Sequence, residues 1–193
     1  MTKLHIYLFR HGQTFYNRAH RFTGWKDSVL TPQGFKDAGT VGRKLKSKDF
    51  QVAFCSDLTR SRQTLREVLK YHQGQRIKTI VDKRLRERHY GALCGLGHET
   101  IIKKYGEEKF RLWHRSYAVA PPGGESIKMV QKRVDPFIKD LVAMMRREKV
   151  SVAISAHGNS MRPFRKRFEH LSVKQMMKLE NPWDDYFEYT IEV

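Results

Sequence analysis

Short apolar runs alternate along this chain with longer segments in which apolar residues return every three or four positions. Five runs, Leu4 to Phe9, Val52 to Ser56, Lys78 to Val81, Ser151 to Ser155 and Phe187 to Ile191, have the length and side-chain types that predict strands. Helices are predicted between them. Thr31 is placed to cap one with Pro32 at its first position, and Ala38, Val41 and Leu45 mark its inner face before it ends ahead of Phe50. Asp57 or Thr59 is placed to cap the next, whose apolar positions Leu65, Val68 and Leu69 precede Gly74. After the loop Pro121-Pro122-Gly123-Gly124, a long helix is predicted from about Ser126 to Lys149, facing inward with Ile127, Val130, Val134, Ile138, Leu141 and Met145. Met161, Phe164, Phe168 and Leu171 form a further stripe, which leaves Arg162, Arg165, Lys166 and Arg167 mostly on a wet face. Strands alternating with helices predict α/β layers around a largely parallel sheet. With no linker, repeat or low-complexity tract, residues 1–193 read as a single domain.

A parallel sheet aligns the carboxyl ends of its strands along one edge, where ligands bind in open α/β folds. Arg10-His11-Gly12 stands where the first predicted strand ends, and His157-Gly158-Asn159 follows a later one, so distance along the chain is no obstacle to contact. If the two meet, they offer a nitrogen nucleophile, a second imidazole and a guanidinium fork suited to phosphate. That set points to phosphoryl transfer through a phosphohistidine on His11, with His157 as a further donor when protonated. Arg60, just past the strand ending at Ser56, reaches the same edge and can grip phosphoryl oxygens with Arg10.

Charge alters the picture only in part. Thirty-eight Lys plus Arg against 20 Asp plus Glu give a net charge of +18, which implies an anionic partner. A basic nucleic-acid-binding module is the distant alternative, because the cations of residues 162–167 fit better as the wet face of one helix than as a specific nucleic-acid surface. Cys55 and Cys94 read as reduced thiols of a cytoplasmic protein, and no Cys/His spacing suggests a metal. No apolar run is long enough to span a bilayer, and the amino-terminal run lacks the pattern of a signal peptide, so no membrane partner is expected. Gly91, Gly95 and Gly97 read as loop glycines rather than a dinucleotide fingerprint.

Leu8 to Thr14, Asn17, Arg21 to Trp25, Ser56 to Arg60, Glu87 to Leu93, Trp113 to Ser126 and Ala156 to Ser160 together resemble the histidine phosphatase superfamily, and within it the cofactor-dependent phosphoglycerate mutase branch in compact form. The resemblance implies a three-layer α/β/α sandwich and a small phosphorylated metabolite as substrate, and it leaves a homo-oligomer open. It makes Glu87 the general acid and then base. It also implies substrate contacts by Thr14, Asn17, Thr23, Gly24, Tyr90, Arg115, Gly158 and Asn159, with His98 and His114 at two further binding positions. The leading activity it implies is interconversion of 3-phosphoglycerate and 2-phosphoglycerate, primed by 2,3-bisphosphoglycerate as cofactor and requiring no metal. A phosphomonoester hydrolase acting on a small metabolite is the alternative.

Three departures bear on that choice. His98 stands where the mutase pattern has a lysine, and His114 replaces the first arginine of its Arg-Arg pair. An unperturbed histidine is mostly uncharged near neutral pH, so the grip on a second anionic group weakens. Asn181-Pro182-Trp183-Asp184-Asp185 replaces the mutase's Pro-Thr-Gly-Val-type turn, and the chain stops at Val193 without the mutase's closing tail. That predicts an open site and easier hydrolysis of a phosphohistidine.

Overall fold

The computed structural model describes residues 3–193. Its sheet has five strands in the order β3-β2-β4-β1-β5: β1 is Lys3–Arg10, β2 Val52–Cys55, β3 Lys78–Val81, β4 Val152–Ala156 and β5 Tyr186–Glu192. Only β5 runs antiparallel, paired with β1. The predicted strands are all present, to within a residue or two at each end.

Side-chain alternation explains the layers. Leu4, Ile6 and Leu8 point to one face, where Val52, Phe54, Val152 and Ile154 join them against α6 (Ile127–Glu148) and α7 (Met161–Phe168). Tyr7 and Phe9 point to the other, with Ala53, Cys55 and Ala153, against α2 (Pro32–Leu45) and α3 (Thr59–Leu69). A sheet covered on both faces is the three-layer sandwich, and the all-buried β4 is apolar apart from Ser155, as such burial favours. Burying side chains such as Ile6 and Leu8 completely stabilises the fold by about 1.5–3 kcal/mol each.

Helix boundaries follow local chemistry. Thr31 caps α2 by accepting from the Gly34 N–H, and Pro32 follows it. Ser126 caps α6 through Met129 N–H, and all six residues predicted for its inner face are buried. Pro136 lies inside α6 but on its exposed side, where solvent can meet the carbonyl that loses its partner. One prediction fails at α3, whose cap position is Leu58 with no side-chain bond. Asp57 is committed to a fork with Arg86, and Thr59 is already inside the helix, its hydroxyl bound to Asp27.

Two shorter helices, α4 (His98–Tyr105) and α5 (Glu107–Arg115), stand above the carboxyl edge of the sheet over a small apolar cluster of Phe22, Tyr90, Leu93 and Ile101. Among the described residues, no helix is long and apolar enough to cross a membrane.

Candidate active site

β1 and β4 are neighbours, with Arg10 paired to Ala156, so the residues that follow them emerge side by side. The His11 N–H donates to the Ala156 carbonyl at 3.0 Å, and the His11 and His157 rings lie 4.9 Å apart at 59°. Gly12 is required by close approach: a Cβ there would sit 2.1 Å from the Gly34 carbonyl oxygen at the start of α2. Helix α2 therefore clamps the loop that carries His11.

The His11 Nδ1 lies 2.8 Å from the Gly12 carbonyl. A carbonyl can only accept, so Nδ1 carries the proton and Nε2 keeps its lone pair. Burial, then Arg60 and Arg10, hold the His11 pKa well below its usual value, and the ring is neutral near pH 7. His157 is also pushed well down, by burial and then by Arg60 and His11. Both shifts favour the neutral ring for His157 as for His11. A neutral ring can still donate. Ser56 Oγ, 2.7 Å from His157 Nε2, accepts from Leu58 N–H and has its own proton free for that nitrogen. With the Ser56 proton directed to Nε2, the ring proton lies on His157 Nδ1, which is buried without a hydrogen-bond partner among the described residues.

The two arginines are arranged alike. Arg60, only 1% exposed, donates from its terminal nitrogens to the Gly24 and Lys26 carbonyls at 2.7 and 3.2 Å. Gly24 presents that carbonyl from a left-handed backbone, φ +55°. Arg10 donates to the Asn181 carbonyl at 3.1 Å beneath the Trp183 ring. In both residues Nε is buried and unpartnered. Buried donors without acceptors are costly unless a ligand satisfies them, and two cationic ones beside a histidine lone pair favour an oxyanion. Burial lowers the Arg60 pKa to about 10, which still leaves it charged near neutrality.

Glu87, 8% exposed, accepts from the N–H groups of Arg88 and Asn159, both on Oε1, which leaves Oε2 available for a proton. Arg133 from α6 fixes its loop by donating to the Arg84, Arg86 and Glu87 carbonyls. His11, Glu87 and His157 each place a ligand-type atom within 4.8 Å of the others. The same guanidiniums that depress both imidazoles oppose a divalent cation there.

A cavity of about 480 Å³ opens over this group. Of the residues predicted for the site, Arg10, His11, Asn17, Thr23, Gly24, Arg60, Glu87, Tyr90, His98, His114, Arg115, Gly158 and Asn159 line it. His157 lies fully buried beside His11. Thr14 does not line the cavity: it is buried and caps α1 (Phe15–Arg18) in reciprocal bonds with Asn17, which corrects its predicted substrate contact. At the far wall, His98 and His114 stand 5.2 Å apart against Phe22. The His114 pKa falls to about 4 through burial and the neighbouring Arg115, His98, Arg88 and Arg162, and that of His98 falls through burial, His20 and Arg115.

Several lining residues escaped the sequence reading. Arg162, assigned to a wet face, is 7% exposed and reaches the cavity because side chains in a first helical turn lean toward the amino terminus, here the Asn159 end. His20, Arg21 and Phe22 complete the wall that carries His98 and His114. Met177, Leu179, Glu180, Asn181 and Trp183 line the side opposite, and Glu180 approaches Arg115 at 3.8 Å.

The model of the histidine phosphatase superfamily (branch 1) matches residues 6–190. The chain is 42% identical to the 2,3-bisphosphoglycerate-dependent phosphoglycerate mutase of Mesorhizobium japonicum, across 91% of this chain and 86% of that one. It is 40% identical to the phosphoglycerate mutase of Schizosaccharomyces pombe, across 91% and 84%. Among solved structures, a mycobacterial glucosyl-3-phosphoglycerate phosphatase superposes with a TM-score of 0.81 at 27% identity, over 96% of this chain and 89% of that one.

Proposed function

Because the chain belongs to branch 1 of the histidine phosphatase superfamily, we propose that it moves phosphoryl groups through a phosphohistidine on His11 and interconverts 3-phosphoglycerate and 2-phosphoglycerate, primed by 2,3-bisphosphoglycerate. The observation that carries the first half is the fixed tautomer of His11: the Gly12 carbonyl holds Nδ1–H, and Nε2 is left as nucleophile beside two arginines with unpartnered Nε–H groups. Nε2 attacks phosphorus, the P–O bond to the leaving oxygen breaks, and Glu87 supplies that oxygen with a proton. Arg10, Arg60 and the His157 Nδ1–H hold the phosphoryl oxygens as charge builds on them. In the return step Glu87 removes the proton of the accepting hydroxyl. If the phosphohistidine passes its group to the free hydroxyl of 3-phosphoglycerate, 2,3-bisphosphoglycerate forms, and return of its other phosphoryl group to His11 leaves 2-phosphoglycerate, the outcome of a mutase; if water accepts the group, the outcome is a phosphatase.

The mutase reading is supported by relatives of that name at about 40% identity along nine-tenths of the chain. The cavity's Arg21, Arg115 and Arg162 supply cations away from the His11 floor. One observation favours hydrolysis as the second reading. His98 and His114 are held neutral, so that wall contributes no fixed charge toward retaining a bisphosphate. The free thiols of Cys55 and Cys94 suit the reducing cytoplasm we propose for the enzyme.

The deciding experiment incubates the purified protein with 3-phosphoglycerate, with and without 2,3-bisphosphoglycerate, and follows 2-phosphoglycerate against free phosphate. Primer-dependent 2-phosphoglycerate is the expected result. Release of phosphate alone would replace the mutase reading with the hydrolase.

A further inference from the structure

Arg10 does not hold its own position. Its side chain leaves β1, and its one protein acceptor among the described hydrogen bonds is the carbonyl of Asn181, which lies between α8 (Val173–Met177) and β5. Asn181 is 6% exposed and spends its side chain in two directions. Its Nδ2 donates to the Gly158 carbonyl at 2.8 Å, and its Oδ1 accepts from Arg165 Nη1 at 3.2 Å. Arg165 also donates to the Glu180 carbonyl at 2.8 Å and forks onto Glu169, whose Oε1 takes the Tyr189 hydroxyl at 2.7 Å. A chain of hydrogen bonds therefore runs from β5 through α7 to Asn181. There it divides between the loop after β1 and the loop after β4.

From this geometry we propose that Asn181, anchored by Arg165, is the positioning residue that fixes Arg10 relative to the His157-Gly158-Asn159 loop. The inference rests on the phosphohistidine reading above. Asn181 need not touch the transferred group. It acts by keeping the Arg10 guanidinium, with its Nε–H unengaged, at a constant offset from the loop bearing His157. The amide suits this task because one side needs a donor, for the Gly158 carbonyl, and the other an acceptor, for a guanidinium; leucine has the same outline but can do neither. Loss of either bond frees the segment whose backbone holds Arg10. A displacement of about 1 Å at such a group can cost roughly 100-fold in rate. Because Arg10 stabilises charge that grows in the transition state, the loss falls on kcat and on affinity for a transition-state-like oxyanion, more than on KM.

The test compares wild type with Asn181→Leu, Asn181→Ala and Arg165→Met, using p-nitrophenyl phosphate as substrate and orthovanadate as inhibitor, with melting temperature followed in parallel. Asn181→Leu and Asn181→Ala are expected to lower kcat by about 10- to 100-fold and to weaken vanadate inhibition to a similar extent, with KM within about threefold. Arg165→Met should move the same two quantities in the same direction by less. A folded Asn181→Leu with wild-type kcat and vanadate inhibition overturns the proposal, as does a loss confined to KM. Should both Asn181 variants fail to fold, Arg165→Met decides alone, and wild-type values there overturn it. Failure of the underlying reading looks different: the wild-type protein would then form no acid-labile phosphohistidine at all.

Discussion

His11 and His157 face each other with ring centroids 4.9 Å apart, both sealed from solvent and both held neutral by burial and by the same guanidiniums of Arg60 and Arg10. An anion arriving beside them offsets those positive charges and removes the part of each ring's depressed pKa that is due to the arginines, the larger part being due to burial. Anion binding should therefore take up protons. Sulfate is a suitable probe because it stays a dianion throughout this range, and its affinity is expected to rise as pH falls from 7 to 5, by up to about tenfold per unit if one proton is coupled. His157→Asn should flatten that slope. In the absence of anion the sign for stability is opposite. The folded pKa values lie below the unfolded value of about 6.5, so the unfolded chain binds more protons and stability is lost as pH falls below that value. Melting curves from pH 7 to pH 5, with and without sulfate, check both statements.

His11→Ala should abolish phosphohistidine formation and lower turnover by at least about 1000-fold. The chain should remain folded, since the clamp on this loop is the packing of Gly12 against Gly34, which the substitution leaves in place. Acid-labile phosphate incorporated into the variant at wild-type levels would move the nucleophile elsewhere.

Glu87→Gln separates proton transfer from phosphoryl gripping. Glutamine keeps an oxygen to accept from Arg88 and Asn159 but cannot protonate a leaving alkoxide. Turnover of phosphoglycerate should fall by about 100- to 10,000-fold, whereas p-nitrophenyl phosphate, whose leaving group needs no proton, should lose less than about tenfold. Equal losses on the two substrates would show that Glu87 only shapes the loop.

The sheet was legible because its order follows from burial. A run such as Val152 to Ala156, apolar but for the small Ser155, has no place except between two covered faces, and Leu4 to Phe9 shows its two sides by alternation. The chemistry at strand ends was legible for the same reason: parallel topology decides which distant residues become neighbours. What the pattern concealed were residues whose orientation depends on a helix terminus or on a contact made far away. Arg162 follows the periodicity of a solvent-facing residue, yet the first turn of α7 aims it at Asn159. Asp57 carries a capping side chain, but Arg86 binds it first. Asn181 looks like a turn residue until its three partners, Arg10, Gly158 and Arg165, are brought to it from three separate elements.

Gly12→Ala should destabilise the protein out of proportion to one methyl group. The added Cβ would lie 2.1 Å from backbone oxygen at Gly34, and the reciprocal approach of Gly34 to the Gln13 carbonyl leaves the helix little room to retreat. Overpacking against backbone costs about 1–3 kcal/mol or more, and because the strain falls on the loop bearing His11, activity should drop with stability. Denaturant unfolding beside turnover checks this. An alanine variant of wild-type stability would mean that α2 does not hold the loop as tightly as its contacts indicate.

The choice between acceptor alcohol and water is expected to turn on His98 and His114. The two rings share a wall with Phe22, and burial depresses both first, followed by His20 and Arg115 at His98 and by Arg115, His98, Arg88 and Arg162 at His114, all in the same direction. With the His114 pKa near 4, that ring carries no positive charge at pH 7 and gains it only as the pH approaches that value or as a bound anion raises it. Retention of 2,3-bisphosphoglycerate should consequently weaken as pH rises from 5 to 8. Restoring permanent charge with the double variant His98→Lys, His114→Arg should tighten 2,3-bisphosphoglycerate at pH 7.5 by about tenfold or more, since a hydrogen bond to a charged group contributes about 1.5–3 kcal/mol. The same variant should raise the ratio of 2-phosphoglycerate to free phosphate, because a bisphosphate held longer has more chance to return its phosphoryl group than to lose it to water. Measured together, affinity and product ratio locate the partition: if affinity rises while the ratio stays fixed, water reaches the phosphohistidine by a route that the His98 and His114 wall does not govern.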